Sequence, residues 1–395
     1  MNNFEIYTPT KVYFGRGSEE RTGEAVKAAG AAKVLLVYGG GSVKKSGLLE
    51  RVEKSLADND IAFEEFGGAK PNPTLAHAEE GVRKALDCKA DLILAVGGGS
   101  TIDTAKAIAH GAANSEHPLW DIWTKKVPLT KSLPVGAVLT IAAAGSEMSD
   151  SAVLTNEALG VKSGINTDFN RCRFAIMNPE LLYTLPDNQT AAGITDIMMH
   201  TMERYFIKGI NCDMTDEIAE GLLRTVIKNG AIVMKKKDDY DAQAEIMWCS
   251  SLSHNNLTEC GRGKDFSVHK LGHALSAIFD YTHGASLSAV WGSWARYQYT
   301  EATERFAQYA RKVWGITEAD DKAAAVKGIE ATEEFFTSIG MPISLKEIGP
   351  DVDWNDEVIE KLSMKATMND TVKLSRIKPL GAAEVAEIYR MALDR

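Results

Sequence analysis

The sequence predicts an α/β chain in two parts: a parallel sheet wound by helices over residues 1–186, and an all-helical half over residues 187–395. Three observations carry this. Short apolar, partly β-branched runs alternate with stretches of helical spacing in the first half, strand signals stop near residue 187, and two of the runs end in glycine-rich turns. In order, the runs are Lys33–Tyr38 (KVLLVY), Ile61–Phe66, Asp91–Val96 (DLILAV) and Val135–Leu139, with helices expected near 45–58, 74–87 and 100–112. Such a strand and helix rhythm builds parallel pairs with helical crossovers. Phe4–Phe14 reads as an N-terminal strand with an edge open to pairing across a two-fold axis. Residues 151–178 read as further strands ahead of Asn178-Pro179, and from Gln189 onward the apolar positions recur at helical spacing. The run Lys235-Lys236-Lys237-Asp238-Asp239 is expected at a solvated helix end or loop, and no repeat of solenoid period is visible.

Composition narrows the function classes. A chain of 395 residues, 45% hydrophobic and 25% charged, has the material for about two domains with sizeable cores. A net charge of −10 argues against nucleic acid or an anionic membrane as partner, since both attract a positive field. The start Met1-Asn2-Asn3-Phe4-Glu5-Ile6 lacks the basic residues and apolar run of a signal peptide, and no stretch approaches eighteen apolar residues, so a cytoplasmic protein is expected. Cys88, Cys172, Cys212, Cys249 and Cys260 form no Cys-x-x-Cys pair and are odd in number, as expected of reduced thiols.

The helical half holds a concentration of metal-ligating residue types. Asp196 and His200 stand four residues apart, so a helix projects both from one face. His269 and His273 repeat the spacing, and His283 follows Asp280-Tyr281-Thr282 at a helix end. Four of the chain's eight histidines thus join one acid in two short segments able to clasp one ion. Neutral imidazoles with a single carboxylate suit Zn²⁺ or Fe²⁺, because calcium and magnesium prefer oxygen shells and structural zinc favours thiolates. A catalytic metal is expected. Five candidates exceed the usual four positions, and spacing does not choose between His269 and His273.

The first half offers cofactor turns. Val96-Gly97-Gly98-Gly99-Ser100-Thr101-Ile102-Asp103 follows a buried-looking strand and opens a helix, where backbone N–H groups and the positive helix end suit a pyrophosphate. It is not the Gly-x-Gly-x-x-Gly fingerprint. Tyr38-Gly39-Gly40-Gly41-Ser42-Val43-Lys44-Lys45 follows the KVLLVY strand with no acid near its end to bind ribose hydroxyls. Ser42, Lys44 and Lys45 offer hydrogen bonds and positive charge to a 2′-phosphate, so NADP(H) is expected over NAD(H). Leu139-Thr140-Ile141-Ala142-Ala143-Ala144-Gly145-Ser146-Glu147-Met148 is a small-residue loop suited to a flat ring, with hydroxyls at Thr140 and Ser146.

These residues together resemble the iron-containing, or group III, alcohol dehydrogenases across the whole chain. Phe4-x-x-x-Thr8-Pro9-Thr10-Lys11-x-x-Phe14-Gly15, Pro71-Asn72-Pro73, Gly97-Gly98-Gly99-Ser100-x-x-Asp103, Asn178-Pro179, Asp196-x-x-x-His200 and His269-x-x-x-His273 with His283 occur in the family's order. Through Tyr38 to Lys45 the chain is most similar to the butanol dehydrogenase and NADPH-dependent aldehyde reductase branch. The resemblance implies a Rossmann-like domain and a helical domain, with metal and cofactor in the cleft between them. It implies Asp196, His200, His269 and His283 as ligands of one Fe²⁺ or Zn²⁺, and His273 as a proton relay. It further implies Gly39, Gly41 and Ser42 at the adenosine end, Asn72, Gly98, Gly99, Ser100 and Asp103 at ribose and pyrophosphate, and Thr140, Ser146, Lys162 and Leu182 around the nicotinamide half. Homodimers are common in the family. One departure is Ala144, where the family's loop often reads Thr-Gly-Ser, which puts one cofactor hydrogen bond in doubt.

The expected activity is NADP(H)-linked oxidation and reduction of small to medium aliphatic alcohols and aldehydes such as butanol and butanal, a Lewis acid acting beside a hydride donor. Met198, Met199, Leu252, Phe266 and Leu271 near the metal segments favour an apolar substrate. The alternatives are an NAD-linked polyol dehydrogenase, a lyase resembling dehydroquinate synthase, which would show more Lys and Arg for a polyanionic substrate, and a metal-dependent hydrolase, which has no use for the glycine turns.

Overall fold

A computed structural model describes residues 1–393. The chain divides into two compact units, one spanning Tyr7–Thr184 and the other running from Leu185 onward together with Met1–Ile6. The first unit holds the strands β1 (Lys11–Phe14), β2 (Lys33–Tyr38), β3 (Ala62–Phe66), β4 (Leu92–Gly97), β5 (Val135–Leu139), β6 (Ser151–Asn156), β7 (Val161–Asn166) and β8 (Phe174–Met177). Its helices are α1 (Thr22–Ala28), α2 (Ser42–Lys45), α3 (Leu48–Ala57), α4 (Leu75–Asp87), α5 (Gly99–Ala113) and α6 (Leu119–Trp123).

Six strands form one sheet in the order β1-β8-β5-β4-β2-β3, and all its pairings are parallel. Helices cover a parallel sheet on both faces, so its central strands are apolar throughout, and β4 and β5 are buried at every residue. The edge strand β3, Ala-Phe-Glu-Glu-Phe, carries its two acids where solvent reaches them. The connection from β2 leads outward to β3, while β4 lies on the other side of β2 and leads to β5. Adjacent strands whose connections diverge leave a crevice at their carboxyl ends, and Gly39–Gly41 and Gly97–Gly99 are the two turns that flank it.

One expectation for this unit needs correction. The N-terminal strand is Lys11–Phe14 rather than Phe4–Phe14. Pro9 cannot donate to a ladder, and the residues before it run toward the other unit, where the Asn2 N–H donates to the Gly261 carbonyl (2.8 Å). Of the strands expected within 151–178, β8 alone enters the main sheet, between β1 and β5, whereas β6 and β7 form a separate antiparallel hairpin. The alternating burial of β6 marks a strand with one solvated face, unlike the central strands.

The second unit is helical: α7 (Asp187–Tyr205), α8 (Asp213–Val233), α9 (Tyr240–His254), α10 (Ser267–Phe279), α11 (His283–Gln298), α12 (Thr303–Trp314), α13 (Asp321–Ser338), α14 (Leu345–Ile348), α15 (Asp356–Ala366) and α16 (Ala382–Met391). α7 is buried from Thr190 to Tyr205. It ends in an aromatic cluster where Phe206 stacks on Phe306 at 4.2 Å and meets Tyr205, Trp294 and Tyr309. The Lys235–Asp239 run joins α8 to α9, and the Asp239 carboxylate accepts the Ala242 N–H (3.2 Å), which caps α9. No helix among the described residues is long and apolar enough to cross a membrane.

Candidate metal and cofactor sites

Asp196 and His200 project from one face of α7, His269 and His273 from α10, and His283 is the first residue of α11. Asp280, in the left-handed conformation (φ 57°), ends α10 and reverses the chain, so His283 returns toward His269. The Nε2 atoms of His200, His269 and His283 lie 3.4, 3.5 and 3.5 Å from Oδ1 of Asp196. Donor atoms about 2.1 Å from a tetrahedral ion stand about 3.4 Å apart, so this spacing fits one small divalent cation. Asp196 Oδ1 and His269 Nε2 are buried and have no hydrogen-bond partner among the described residues. A buried carboxylate oxygen facing three imidazole nitrogens without hydrogen bonds is costly unless a cation occupies the centre. His273 is set back: its ring stacks on His283 at 5.1 Å and meets His269 edge-on at 5.9 Å.

The surroundings sharpen this picture. Burial, and the neighbouring His254, His269, Arg204 and His283, hold His200 well below the usual imidazole range. Burial also disfavours charge on His269, but Glu203 and Asp196 outweigh it and make the ring hold its proton more tightly. Phe266 packs edge-on against His200 and His269, whereas Met198, Met199 and Leu271 are fully buried helix core. Sequence reasoning missed two residues here. Glu203 lies three residues beyond His200 on the same helical face, a spacing that the sequence displayed. His254 ends α9 and stacks on His200 at 4.0 Å, and no local pattern pointed to it.

In the first unit the glycine turns sit at the carboxyl ends of β2 and β4. α5 starts at Gly99, its N-cap Gly98 has no side chain to satisfy the first-turn N–H groups, and Gly99 and Ser100 open a fifteen-residue helix. Such an end suits a pyrophosphate. A Cβ on Gly98 would come within 2.8 Å of Ile141, so glycine is needed for the turn to pack on the loop after β5. On that loop the Thr140 N–H donates to the Gly97 carbonyl (3.1 Å), and the Ala144 methyl faces Gly99.

Ser146 donates to Asp103 Oδ1 (2.7 Å), and Asp103 Oδ2 accepts the Val153 N–H (2.9 Å), so both oxygens of this part-buried carboxyl serve the protein. The fully buried Lys106 completes the knot with bonds to the Ser146 carbonyl and hydroxyl and the Ser151 carbonyl. Lys162 on β7 donates to Asn72 Oδ1 (2.9 Å), and Asn72 sits in the left-handed region (φ 56°) between its two prolines. Leu182 is buried in the turn Pro179–Leu182 after β8. Gly39, Gly41 and Ser42 form the turn into α2. Here one premise changes: an acid does stand beside this turn, supplied by β3. Glu65 accepts the Tyr38 hydroxyl (2.7 Å) and pairs with Lys44 (3.0 Å), which lies over the Tyr38 ring.

Comparison with known proteins gives the family. Residues 9–179 match the family described as iron-containing alcohol dehydrogenase, and residues 190–393 match the C-terminal region of the Fe-containing alcohol dehydrogenase family. The chain belongs to the iron-containing alcohol dehydrogenases. Within the family it is 39% identical to NADH-dependent butanol dehydrogenase A of Clostridium acetobutylicum, over 99% of both chains. It is 35% identical to the NADPH-dependent aldehyde reductase YqhD of Escherichia coli, over 92% of this chain and 93% of that one. A crystal structure of NADH-dependent butanol dehydrogenase A from Thermotoga maritima superposes with a TM-score of 0.94 at 37% identity, covering 100% of this chain and 99% of that one. The protein is therefore an NAD(P)-dependent enzyme of the alcohol dehydrogenase and aldehyde reductase class, with the Rossmann-like and helical domains expected of it. Family membership brings a nicotinamide cofactor and a divalent metal, and it sets aside the hydrolase and lyase readings.

Proposed function

We propose that this iron-containing alcohol dehydrogenase reduces small to medium aliphatic aldehydes such as butanal with NADPH, using one Fe²⁺ or Zn²⁺ held by Asp196, His200, His269 and His283. The observation that supports it most is the convergence of three imidazole nitrogens on one oxygen of Asp196. When bound, the metal supplies Lewis acidity to a carbonyl oxygen and the nicotinamide supplies the hydride. Asp196 contributes the single negative charge of the ligand set, which leaves a divalent centre net positive. Phe266 covers the edges of His200 and His269 and keeps water from that side. His273, less buried than Asp196, His200 and His269 and stacked on His283, carries the proton to the product oxygen.

The cofactor lies on the first unit's turns in this reading, with the pyrophosphate at Gly98, Gly99 and Ser100 and the ribose near Asn72. Thr140, Lys162 and Leu182 line the nicotinamide half. Asp103 acts by holding Ser146, and Ser146 by holding the loop. Gly39, Gly41 and Ser42 receive the adenosine end. Lys44 is committed to Glu65, so Ser42 and Lys45 remain for a 2′-phosphate. The preference for NADPH is then modest and NADH is also accepted, in keeping with relatives named for either cofactor. Kinship to butanol dehydrogenases supports the aliphatic substrate.

The test is a pair of variants. His269→Ala should lose bound metal and nearly all activity, whereas His273→Ala should keep its metal and turn over about 10²-fold or more slowly. Metal content by elemental analysis, measured beside turnover, separates them. Equal metal loss in both variants would contradict the assignment.

A further inference from the structure

We propose that Glu203 is a positioning residue for the metal centre: its carboxylate fixes the tautomer of His269 and caps the helix that presents it, so that Nε2 faces the ion. The inference rests on reading Asp196, His200, His269 and His283 as ligands, and goes beyond it by adding a residue that touches no metal. Glu203 lies on α7, on the face that also carries Asp196 and His200, and is buried (2% exposed). One oxygen accepts the His269 backbone N–H (3.1 Å), and the other is hydrogen-bonded to the ring Nδ1 of the same residue.

Both contacts have a physical reason. His269 is the third residue of α10, where backbone N–H groups have no partner within the helix. The N-cap residue Phe266 has no side chain that could accept them. Two carboxylates do so instead: Asp265 accepts the Ser267 N–H (2.8 Å) and Glu203 that of His269. Negative charge at this end is also favoured by the helix dipole. The ring contact settles which nitrogen is free. A carboxylate accepts but does not donate, so in the neutral ring Nδ1 carries the proton and Nε2, the atom 3.5 Å from Asp196 Oδ1, has the lone pair for a cation.

Glutamate is the side chain that satisfies both contacts, because each of its oxygens accepts. Glutamine has the same shape but offers one acceptor and one donor. Placed at 203, its amide meets either the backbone N–H or Nδ1–H with N–H groups. Relief at the ring moves the proton to Nε2 and blocks the metal-facing atom. Glu203→Gln therefore changes hydrogen bonding without creating a cavity.

The experiment uses the full chain, prepared metal-free and titrated with Zn²⁺ against a chromophoric chelator, with thermal midpoints of the metal-free forms measured alongside. Glu203→Gln should bind zinc about 10- to 100-fold more weakly than the native protein while its metal-free midpoint stays within a few degrees. In the native protein, labelled with ¹⁵N-histidine and loaded with zinc, one strongly downfield ring proton should be attached to His269 Nδ1; this readout needs no variant to fold. Native-like zinc affinity in Glu203→Gln, or absence of that proton from the native protein, would overturn the positioning role. His269→Ala and Asp196→Asn serve as controls. If they lose zinc while Glu203→Gln keeps it, the positioning role fails alone, and if they too bind zinc like the native protein, the ligand assignment falls and takes the inference with it.

Discussion

Lys44 shows how a single contact changes a functional expectation. Its charge was available to a 2′-phosphate when the chain was read as a string, but β3 runs beside β2 and delivers Glu65 to it. Glu65→Gln should release Lys44 and improve the ratio of kcat/KM for NADPH over NADH by about two- to five-fold, the scale of an exposed ion pair. An unchanged ratio would show that this lysine does not sense the cofactor. His110 offers a pH-dependent case. Burial holds its pKa down to about 4, and the hydrogen bond to Asn170 only partly opposes this. Its Nε2 faces Asn170 Oδ1 (2.8 Å) and its Nδ1 faces the Ser132 hydroxyl (2.8 Å), which suits a neutral ring. The unfolded chain takes up a proton near the usual imidazole value while the folded chain does not, so stability is whole at neutral pH and falls as pH drops from about 6.5 to 4. The loss is on the order of 3 kcal/mol. Thermal melts across that range should show a shallower decline in His110→Gln than in the native protein, and parallel declines would contradict the assignment.

At the scale of elements, close packing of helices sets the candidate metal site as much as its proposed ligands do. α11 crosses α7 at Gly284, where an added Cβ would lie 2.3 Å from the Ala192 carbonyl oxygen and 2.6 Å from its Cα. Gly284→Ala must push the two helices apart, and His283 is the adjacent residue. About 1–3 kcal/mol of destabilisation is expected together with weaker zinc retention, checked by thermal midpoint and elemental analysis. Full retention of zinc at a lowered midpoint would show that the site tolerates the shift. Elements with long periodic signals were legible in the sequence: β2, β5, α4 and α5 lie within a few residues of expectation. Those set by distant partners were not. Nothing local tells that β6 and β7 leave the sheet while β8 enters it, because strand order is decided by which edges are covered. Helical spacing announced Asp196 with His200 and His269 with His273, yet choosing among the ring nitrogens requires α7, α10 and α11 packed together, which no spacing encodes.

On the scale of the whole molecule, two units carry two kinds of chemistry. The parallel sheet ends its strands in glycine turns and a helix N-terminus with no side-chain cap, which favour phosphates, and the helical unit buries a carboxylate among imidazoles, which favours a divalent ion. The sequence displays both by residue type: glycines after apolar runs in one half, histidines at helical spacing in the other. The fate of the first six residues was not readable, since their place with the helical unit depends on a backbone bond to Gly261. The central claim is that metal and reduced nicotinamide act together on an aliphatic aldehyde. Its most direct test is the absorbance of NADPH during incubation of the purified protein with butanal, before and after a chelator. The account predicts NADPH oxidation that stops on chelation and returns with Fe²⁺ or Zn²⁺, whereas oxidation that persists without metal, or no oxidation in the metal-loaded protein, would contradict it.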